Sequence, residues 1–313
     1  MNYYLRDKIV IIIGGTGSLG KALIQPLVNN GIKKIIVYSR NEYNQVMMQK
    51  KFSKDKFPIR YFIGDIRDRD RLHRALDGVN IAINCAAIKH IDKAQYDPIE
   101  AVKTNIIGTQ CLIDATIDNE LEKVIGIGSD KEVDPTSHYG ATKLCSCSLF
   151  IAANSYSPNK TKFSTVRFGN FWNSSGSFIE YLFSQKNSSD TIIPLTDERM
   201  SRFFISLEDG AQFIIDRLKY MKGNEIFLPK YPKLKSLMIK DIIKKILPLA
   251  KVNIVGIRPG EKLYEKMITS VDARNIYEYE DYYVILQDNN KCNGKKLDCD
   301  FKYNSNDKIM GYL

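Results

Sequence analysis

The 313-residue chain has few histidines, no CxxC cysteine pair and no long apolar run. Its 3 histidines and 6 cysteines show none of the short ligand spacings of zinc sites, so we predict no metal and cysteines that stay reduced. Because no run reaches about 18 apolar residues, we expect no transmembrane helix. The apolar run at residues 8–13 is followed by glycines instead of a signal-peptide cleavage site, which favours a cytoplasmic location.

Positive charge is in excess but is not concentrated in one block. The chain has 46 lysines and arginines against 36 acidic residues, a net charge of +10, and its lysine pairs are scattered along the sequence. No stacking-aromatic motif accompanies them, which argues against a nucleic-acid partner. We therefore predict a solvated surface, no membrane partner and an anionic nucleotide as substrate.

A predicted strand, a glycine-rich turn and a helix follow one another near the N-terminus. The β-branched run at residues 8–13 predicts a buried parallel strand, and a helical pattern extends from about residue 21 to 30. Between them, GGTGSLG has the GxxGxxG spacing that lets backbone N–H groups and a helix N-terminus approach a pyrophosphate. The alternative is an ordinary glycine-rich turn. The predicted dinucleotide contacts are Gly14, Thr16, Gly17, Ser18, Leu19 and Gly20.

The ends of the next predicted strands indicate which dinucleotide binds. The strand at residues 34–38 ends at Ser39 and Arg40 rather than at an acid, and an arginine beside a hydroxyl suits the 2′-phosphate of NADP. The alternative is an exposed arginine. Asp65 either reaches the adenine or caps the next helix, and Lys89 is predicted beside the nicotinamide ribose. The cofactor contacts predicted from these strand ends are Ser39, Arg40, Asp65, Ile66, Ala86 and Lys89.

Titratable side chains cluster after a later predicted strand. Asp130 and Lys131 are followed by Tyr139 and Lys143, which brings an acid, a phenol and two amines into one short segment. Residues four apart share one face of a helix, so Lys143 is expected to lower the pKa of Tyr139 toward the working pH of a general base. The alternative is an exposed helical pair.

Strands and helices alternate through the first half of the chain. The alternation predicts an α/β fold, a Rossmann-type doubly wound parallel sheet whose strand ends open on one crevice. After residue 170 the pattern loosens, and we predict a smaller C-terminal substrate-binding lobe with an amphipathic helix at 236–247. The predicted NADP-binding domain comprises residues 1–169 and a return segment near 207–228, and the lobe comprises 170–206 and 229–313, including an irregular tail at 288–313.

Three later segments carry arginines that could contact substrate phosphates. They are centred on Arg167, Arg202 and Arg258. A guanidinium group suits bidentate contact with phosphate, and Glu261 could accept hydrogen bonds from a ribose. The alternative for each arginine is a surface charge.

Taken together, these residues resemble those of a known family. Up to about residue 285 the chain is similar to extended short-chain dehydrogenase/reductases and, among them, to inverting UDP-N-acetylglucosamine 4,6-dehydratases, 5-epimerising enzymes of pseudaminic acid and L-rhamnosamine-type pathways. Retaining dehydratases carry Asp-Glu in place of Asp130–Lys131, and membrane-bound relatives carry methionine in place of Tyr139. The resemblance rests on GGTGSLG, YSR, YFIGDIRD, CAAIKH, KTNIIG, SDK, YGATKL, RFGN, MSRF, EIFLPK and IRPGEKL.

The resemblance implies a reaction that leaves its cofactor as it began. Tyr139, supported by Lys143, takes the 4-hydroxyl proton as the C4 hydride passes to tightly bound, recycled NADP. Lys131 then removes the C5 proton, and Asp130 in its acid form protonates the leaving 6-hydroxyl. The hydride returns to C6, and reprotonation of C5 on the opposite face yields UDP-2-acetamido-2,6-dideoxy-β-L-arabino-hex-4-ulose. A lysine with a pKa of ~10.4 is protonated, so Lys143, NADP and desolvation must lower the pKa of Lys131.

The resemblance also implies substrate contacts and an assembly. A UDP-sugar is the implied substrate, and a homo-oligomer is the implied assembly. Ser129 is expected near O4 of the sugar. The implied substrate contacts are Lys89, Ser129, Asn170, Arg202, Arg258 and Glu261.

Two rival functions stay open. The loop at residues 171–180 and the segment 91–95 differ from the usual family sequence, which leaves the exact sugar open. A UDP-hexose 4-epimerase or a retaining dehydratase would use Tyr139 and Lys143 without elimination, or with retention at C5. A non-enzymatic NADP-sensing regulator would share the fold but would usually lack the tyrosine–lysine pair.

Overall fold

A computed structural model describes residues 3–53, 57–158, 160–186, 192–286 and 292–309. Six parallel strands open the fold: β1 (Ile9–Ile13), β2 (Lys34–Ser39), β3 (Ile59–Ile63), β4 (Ile81–Asn84), β5 (Lys123–Ser129) and β6 (Lys162–Phe168). They lie in the order β3-β2-β1-β4-β5-β6, so the strand order reverses between β1 and β4. This doubly wound order confirms the predicted fold class and places the switch point of the sheet beside the glycine turn.

The alternation of side chains along β1 explains why both faces of the sheet are covered. Val10 and Ile12 belong to one buried apolar cluster, whereas Ile11 and Ile13 belong to another. Successive side chains of a strand point to opposite faces, so a continuous β-branched run supplies two cores at once. The helices are α1 (Ser18–Asn29), α2 (Glu42–Lys51), α3 (Arg69–Leu76), α4 (Ile91–Tyr96), α5 (Pro98–Val102), α6 (Gly108–Asp118), α7 (His138–Tyr156), α8 (Phe178–Ser184), α9 (Leu207–Tyr220) and α10 (Ile239–Ile246).

Later strands extend the main sheet and build two small ones. They are β7 (Asn170–Phe171), β8 (Ile192–Leu195), β9 (Ser201–Ile205), β10 (Glu225–Pro229), β11 (Lys235–Met238), β12 (Lys251–Ile254), β13 (Ile276–Glu278), β14 (Tyr282–Leu286) and β15 (Lys295–Lys296). β10 joins β6 in parallel, and β14, β13 and β15 follow it as antiparallel strands. β11, β9 and β7 form a three-stranded sheet, and β12 pairs with β8.

The second half of the chain departs from the sequence expectations in three places. The amphipathic helix predicted at 236–247 begins only at Ile239, because Ser236 and Leu237 pair with β9 as part of β11. β13, β14 and β15 join the main sheet, although their residues were assigned to the predicted lobe. The tail is also more ordered than expected, since the side chains of Tyr303 and Ser305 are buried. Within the predicted lobe, residues 187–191, 287–291 and 310–313 lie outside the described part of the chain.

A π-helical turn, Lys103–Ile107, joins α5 to α6 and ties the end of β4 to α7. The Asn105 side chain accepts a hydrogen bond from the Ile88 backbone N–H at 2.8 Å and donates one to the Ile88 carbonyl at 3.0 Å. It also donates to the Thr142 hydroxyl at 2.9 Å. The loop after β4 and the helix that carries Tyr139 are therefore held in fixed relation. None of the helices described is long and apolar enough to cross a bilayer.

Candidate active site

One cleft of about 1250 Å³ opens at the carboxyl ends of the parallel strands. A cleft of this size exceeds the usual volume of a site for one drug-sized molecule, which suits two extended ligands. Most of the predicted site residues line it: Gly14, Thr16, Gly17, Ser18, Leu19, Gly20, Ser39, Arg40, Ile66, Ala86, Lys89, Ser129, Lys131, Tyr139, Lys143, Asn170, Arg202, Arg258 and Glu261. Of the predicted residues, Asp65, Asp130 and Arg167 do not line this cleft.

The glycine turn has the shape that a pyrophosphate needs. Gly14 has a φ of +74°, and a Cβ there would lie 2.8 Å from the backbone nitrogen of Ala86. A Cβ at Gly20 would lie 2.5 Å from the carbonyl oxygen of Gly15. α1 begins directly after Gly17, whose conformation caps the helix without a side-chain hydrogen bond. The first N–H groups of α1 therefore remain available to an anion.

The end of β2 presents a cation to the same cleft. Arg40 is exposed, and its guanidinium lies 3.6 Å from the Asp65 carboxylate. The Ser39 hydroxyl accepts a hydrogen bond from the Gln45 side chain at 3.0 Å. Burial raises the pKa of Asp65, but hydrogen bonds from Arg67 outweigh burial and bring that pKa below its usual range.

The helix-capping alternative for Asp65 is wrong. The residue that caps α3 is Asp68, whose side chain accepts a hydrogen bond from the Arg71 backbone N–H. The carboxylate of Asp65 is instead occupied by Arg67. Contact between Asp65 and the adenine stays a prediction.

A short 3-10 turn, Asp130–Glu132, carries the acid–amine pair. Lys131 Nζ donates hydrogen bonds to Asp130 Oδ1 at 2.9 Å and to Asn170 Oδ1 at 2.8 Å. Asp130 is fully buried, and its Oδ2 has no hydrogen-bond partner among the residues that the structure describes. Lys131 thus faces the cleft, whereas Asp130 lies behind it.

A buried ion network, which sequence reasoning missed, holds this turn in place. The Glu132 carboxylate accepts hydrogen bonds from the Ser129 backbone N–H at 3.0 Å and from Arg167 Nε at 2.8 Å. Arg167 also donates to the Met267 carbonyl at 2.6 Å and to Asp272 at 3.1 Å. Arg167 was expected to contact a substrate phosphate, but its side chain is only 4% exposed and serves this network.

α7 places Tyr139 and Lys143 on the cleft, both largely buried. Burial raises the pKa of Tyr139, and the Lys131 charge and a hydrogen bond with Ser129 oppose that effect without cancelling it. The expectation that Lys143 lowers the pKa of Tyr139 is therefore wrong for this arrangement. The Lys143 ammonium donates to the Ile127 carbonyl, and burial lowers its own pKa.

Lys131 is also protonated more firmly than the sequence led us to expect. Burial lowers its pKa, but the charges of Asp130 and Glu265 outweigh burial and raise the pKa above its usual value. Glu265 is a second residue that sequence reasoning missed. It lies four residues after Glu261, next to a loop already predicted to face the substrate, and that neighbourhood was the available signal.

The opposite wall of the cleft is rich in charged side chains that are already engaged. The Arg202 guanidinium donates to the backbone carbonyls of Lys262 at 2.8 Å and of Leu263 at 3.1 Å. Arg258 forms an ion pair with Glu261 at 2.7 Å. Arg202 therefore shapes the cleft wall, whereas Arg258 and Glu261 form an accessible pair at the cleft.

Lys89 and the loop after β7 meet across the cleft. Lys89 Nζ donates to the Ser175 carbonyl at 2.6 Å, and burial lowers the pKa of Lys89. The Ser175 backbone N–H donates to the Ser18 hydroxyl at 3.0 Å. The loop whose sequence departs from the family pattern thus contacts both the glycine turn and Lys89. Among the described residues, the one trio of potential metal ligands, Asp298, Cys299 and Asp300, is exposed and does not line the cleft.

Comparison with known proteins decides the family. The family model described as polysaccharide biosynthesis protein matches residues 10–287. The chain belongs to this family. The inverting UDP-N-acetylglucosamine 4,6-dehydratase of Campylobacter jejuni is 44% identical to this chain over 280 residues, which span 89% of this chain and 82% of that protein. This likeness confirms the resemblance read from the sequence.

Two solved structures resemble this member of the polysaccharide biosynthesis family. The X-ray structure of Pen from Bacillus thuringiensis has a TM-score of 0.91 and 34% identity, and the match covers 98% of this chain and 95% of that one. The dTDP-glucose 4,6-dehydratase of Streptomyces venezuelae, solved with NAD bound, has a TM-score of 0.71 over 82% of this chain and 86% of its own. At 20% identity the second structure shows the fold alone.

Proposed function

We propose that this chain is an inverting UDP-N-acetylglucosamine 4,6-dehydratase with recycled NADP as its cofactor. The observation that carries the proposal is the Asp130–Lys131 ion pair, 2.9 Å long, whose lysine lines the same cleft as Tyr139. An elimination needs one group to take the C5 proton and another to protonate the 6-hydroxyl. The likeness to the Campylobacter jejuni enzyme supports the choice of substrate.

The residues around the glycine turn fit a nicotinamide dinucleotide. A side chain at Gly14 would collide with the backbone of Ala86, so the tight turn that leads into the N-terminus of α1 requires glycine there. Arg40 would hold the 2′-phosphate, which favours NADP over NAD. When bound, the cofactor accepts the hydride from C4 and gives it back at C6.

The Asp130–Lys131 hydrogen bond offers a way to prepare both groups at once. The charges of Asp130 and Glu265 raise the pKa of Lys131 and so favour its protonated form, yet Lys131 must be neutral to act as a base. Transfer of its proton to Asp130 leaves a neutral amine and a neutral carboxylic acid. These are the forms required for removing the C5 proton and for protonating the 6-hydroxyl.

Tyr139 would take the proton of the 4-hydroxyl. Ser129, whose side chain hydrogen-bonds Tyr139, would also lie near O4 of the sugar. Before its proton passes to Asp130, the positive charge of Lys131 favours the phenolate that this step requires. The proton balance then closes. The enzyme takes protons from O4 and C5, gives one to the leaving 6-hydroxyl, and returns one to C5 on the opposite face.

The test is incubation of the purified protein with UDP-N-acetylglucosamine in D₂O, followed by mass spectrometry and proton NMR. We expect loss of one water, deuterium at C5 and an L-configured 4-keto product. A product of unchanged mass inverted at C4 would indicate the epimerase, and retention at C5 would indicate the retaining dehydratase. Tight NADP binding with no turnover of any UDP-sugar would favour the regulatory protein. The cytoplasmic location, the homo-oligomer and the two-domain division stay predictions.

A further inference from the structure

Glu265 is a buried carboxylate in the cleft that the proposed reaction does not use. Its side chain is 4% exposed, and three cations surround it. Oε1 lies 3.9 Å from Lys131 Nζ and 4.0 Å from Arg202 Nε, and Oε2 lies 3.4 Å from Lys262 Nζ. Oε2 accepts no hydrogen bond from any residue that the structure describes. A buried charge without full hydrogen bonding is costly, so Glu265 is a candidate for a role in the cleft.

The backbone of Glu265 is clamped by the tail of the chain. The Glu265 N–H donates to the Ser305 hydroxyl at 3.0 Å, and the Ser305 N–H donates to the Glu265 carbonyl at 2.8 Å. The Ser305 hydroxyl in turn donates to the Ser201 carbonyl at 3.1 Å on β9. The carboxylate is therefore held at a set distance from Lys131 by residues far away in sequence.

We propose that Glu265 is a positioning residue for the proposed dehydration, a buried counter-charge 3.9 Å from the Lys131 ammonium that controls how readily Lys131 gives up its proton. The inference rests on the proposed function only for the consequence in turnover. The effect of Glu265 on the charge of Lys131 rests on the 3.9 Å distance between the carboxylate and the ammonium, and it does not require that the proposed reaction occurs.

The charge balance around Lys131 supports this role. An opposite charge within about 4–6 Å favours the protonated amine, and burial disfavours it. The two carboxylates nearest to Lys131 are Asp130 and Glu265, and Arg202 opposes them. The charged or titratable groups that act on Lys131 from the surrounding elements are Asp130, Tyr139, Arg202 and Glu265. Asp130 is needed as the proton partner, so Glu265 is the carboxylate free to act only through its charge.

The experiment measures the pH at which Lys131 becomes reactive, without any turnover. Wild type, Glu265→Gln, Glu265→Asp and Asp134→Asn are labelled with trace acetic anhydride across a pH series, and the Lys131 peptide is quantified by mass spectrometry. Only the neutral amine reacts. In Glu265→Gln we expect the labelling midpoint to fall by about one pH unit, or about tenfold faster labelling below the midpoint. In Glu265→Asp the carboxylate remains but lies farther from Lys131. The labelling midpoint should therefore also fall, by less than in Glu265→Gln.

Asp134→Asn is the matched control, because Asp134 pairs with the neighbouring Lys266 at 2.8 Å and is half exposed. Its midpoint should equal that of wild type. An unchanged midpoint in folded Glu265→Gln, or an equal shift in Asp134→Asn, would overturn the proposal. If Glu265→Gln does not fold, a wild-type midpoint in Glu265→Asp overturns it instead.

Turnover separates this inference from the proposed function. In active protein, the low-pH limb of the rate profile should move to lower pH in Glu265→Gln by the same amount as the labelling midpoint, a shift that a merely structural role would not produce. If the wild type turns over no UDP-sugar but the labelling midpoint still falls, the proposed function fails and the control of Lys131 by Glu265 stands. If turnover occurs and neither midpoint nor limb moves, the inference about Glu265 fails alone.

Discussion

The two walls of the cleft are built by different physical means. One wall, formed by the glycine turn at 14–20 and the end of β2 and here called the cofactor wall, is shaped by the backbone. Gly14 comes close to Ala86, and the side chain of Arg40 is exposed. The opposite wall, formed by the turn at 130–132 and the segment at 258–265 and here called the substrate wall, depends on buried charges. Behind it Arg167 joins Glu132 to Asp272, and on it Glu265 lies among three cations. A wall made by backbone follows from a few consecutive residues. A wall made by buried ion pairs depends on residues that meet only after folding.

The contrast carries an energetic consequence. Close backbone approach costs little once glycine is present, whereas a buried ion pair is stabilising only if every partner is in place. We therefore expect substitutions on the cofactor wall to affect ligand affinity and substitutions on the substrate wall to affect both stability and chemistry. A substitution of Tyr139, which lies between the two walls, should affect the chemistry alone.

The largest expected effect is that of Tyr139→Phe. Loss of the phenolic proton acceptor should reduce dehydration by roughly 10²–10⁴-fold, while NADP content and melting temperature stay near those of wild type. Turnover of UDP-N-acetylglucosamine and cofactor release on denaturation measure the two parts. Tyr156→Phe, on the exposed face of the same helix, is the control and should be fully active. A fall of less than tenfold in Tyr139→Phe would remove this residue from the proposed chemistry.

Arg167→Met tests whether the substrate wall depends on its buried network. Removing the arginine strands the fully buried Glu132 carboxylate, and breaking a buried pair in this way costs roughly 3–5 kcal/mol in the free energy of unfolding. Chemical denaturation measures the loss. Arg199→Met breaks an ion pair whose arginine is 73% exposed, and it should leave the free energy of unfolding close to that of wild type. Equal losses in the two variants would abolish the distinction between the walls.

Arg40→Ala is the mildest of the three and tests the cofactor wall. A lost charge-assisted hydrogen bond should weaken NADP binding by about tenfold and leave NAD binding almost unchanged. Fluorescence titration with both dinucleotides checks the ratio. Arg60→Ala, at an exposed arginine that does not line the cleft, serves as the control. A parallel loss of affinity for NADP and NAD would show that Arg40 does not read the 2′-phosphate.

Much of the cofactor wall could be predicted because its signals are local. The β-branched run before GGTGSLG predicted β1, and the spacing of Gly14, Gly17 and Gly20 predicted the turn that the structure contains. Both depend on the preferences of neighbouring residues. The position of Tyr139 and Lys143 on one helix followed from the same kind of local reasoning.

The substrate wall could not be predicted in the same way. Arg167 resembled a phosphate ligand because its sequence neighbours say nothing of Glu132, Met267 or Asp272, which lie 35, 100 and 105 residues away. The start of the helix at 236–247 was wrong because pairing of Ser236 with β9 overrode its helical periodicity. The pKa directions of Tyr139 and Lys131 depend on burial and on carboxylates that the sequence does not bring together.

The sequence by itself determined the doubly wound fold, the glycine turn and the types of side chain available for chemistry, because strand, turn and helix signals act over a few residues. Only the tertiary structure decided which of those side chains share a charge balance. Lys131 lies between Asp130 and Glu265 because the segment at 262–265 is held by Arg202 and Ser305, contacts that span 40 to 61 residues of chain. Electrostatic energy depends on distance and burial, and folding alone sets both.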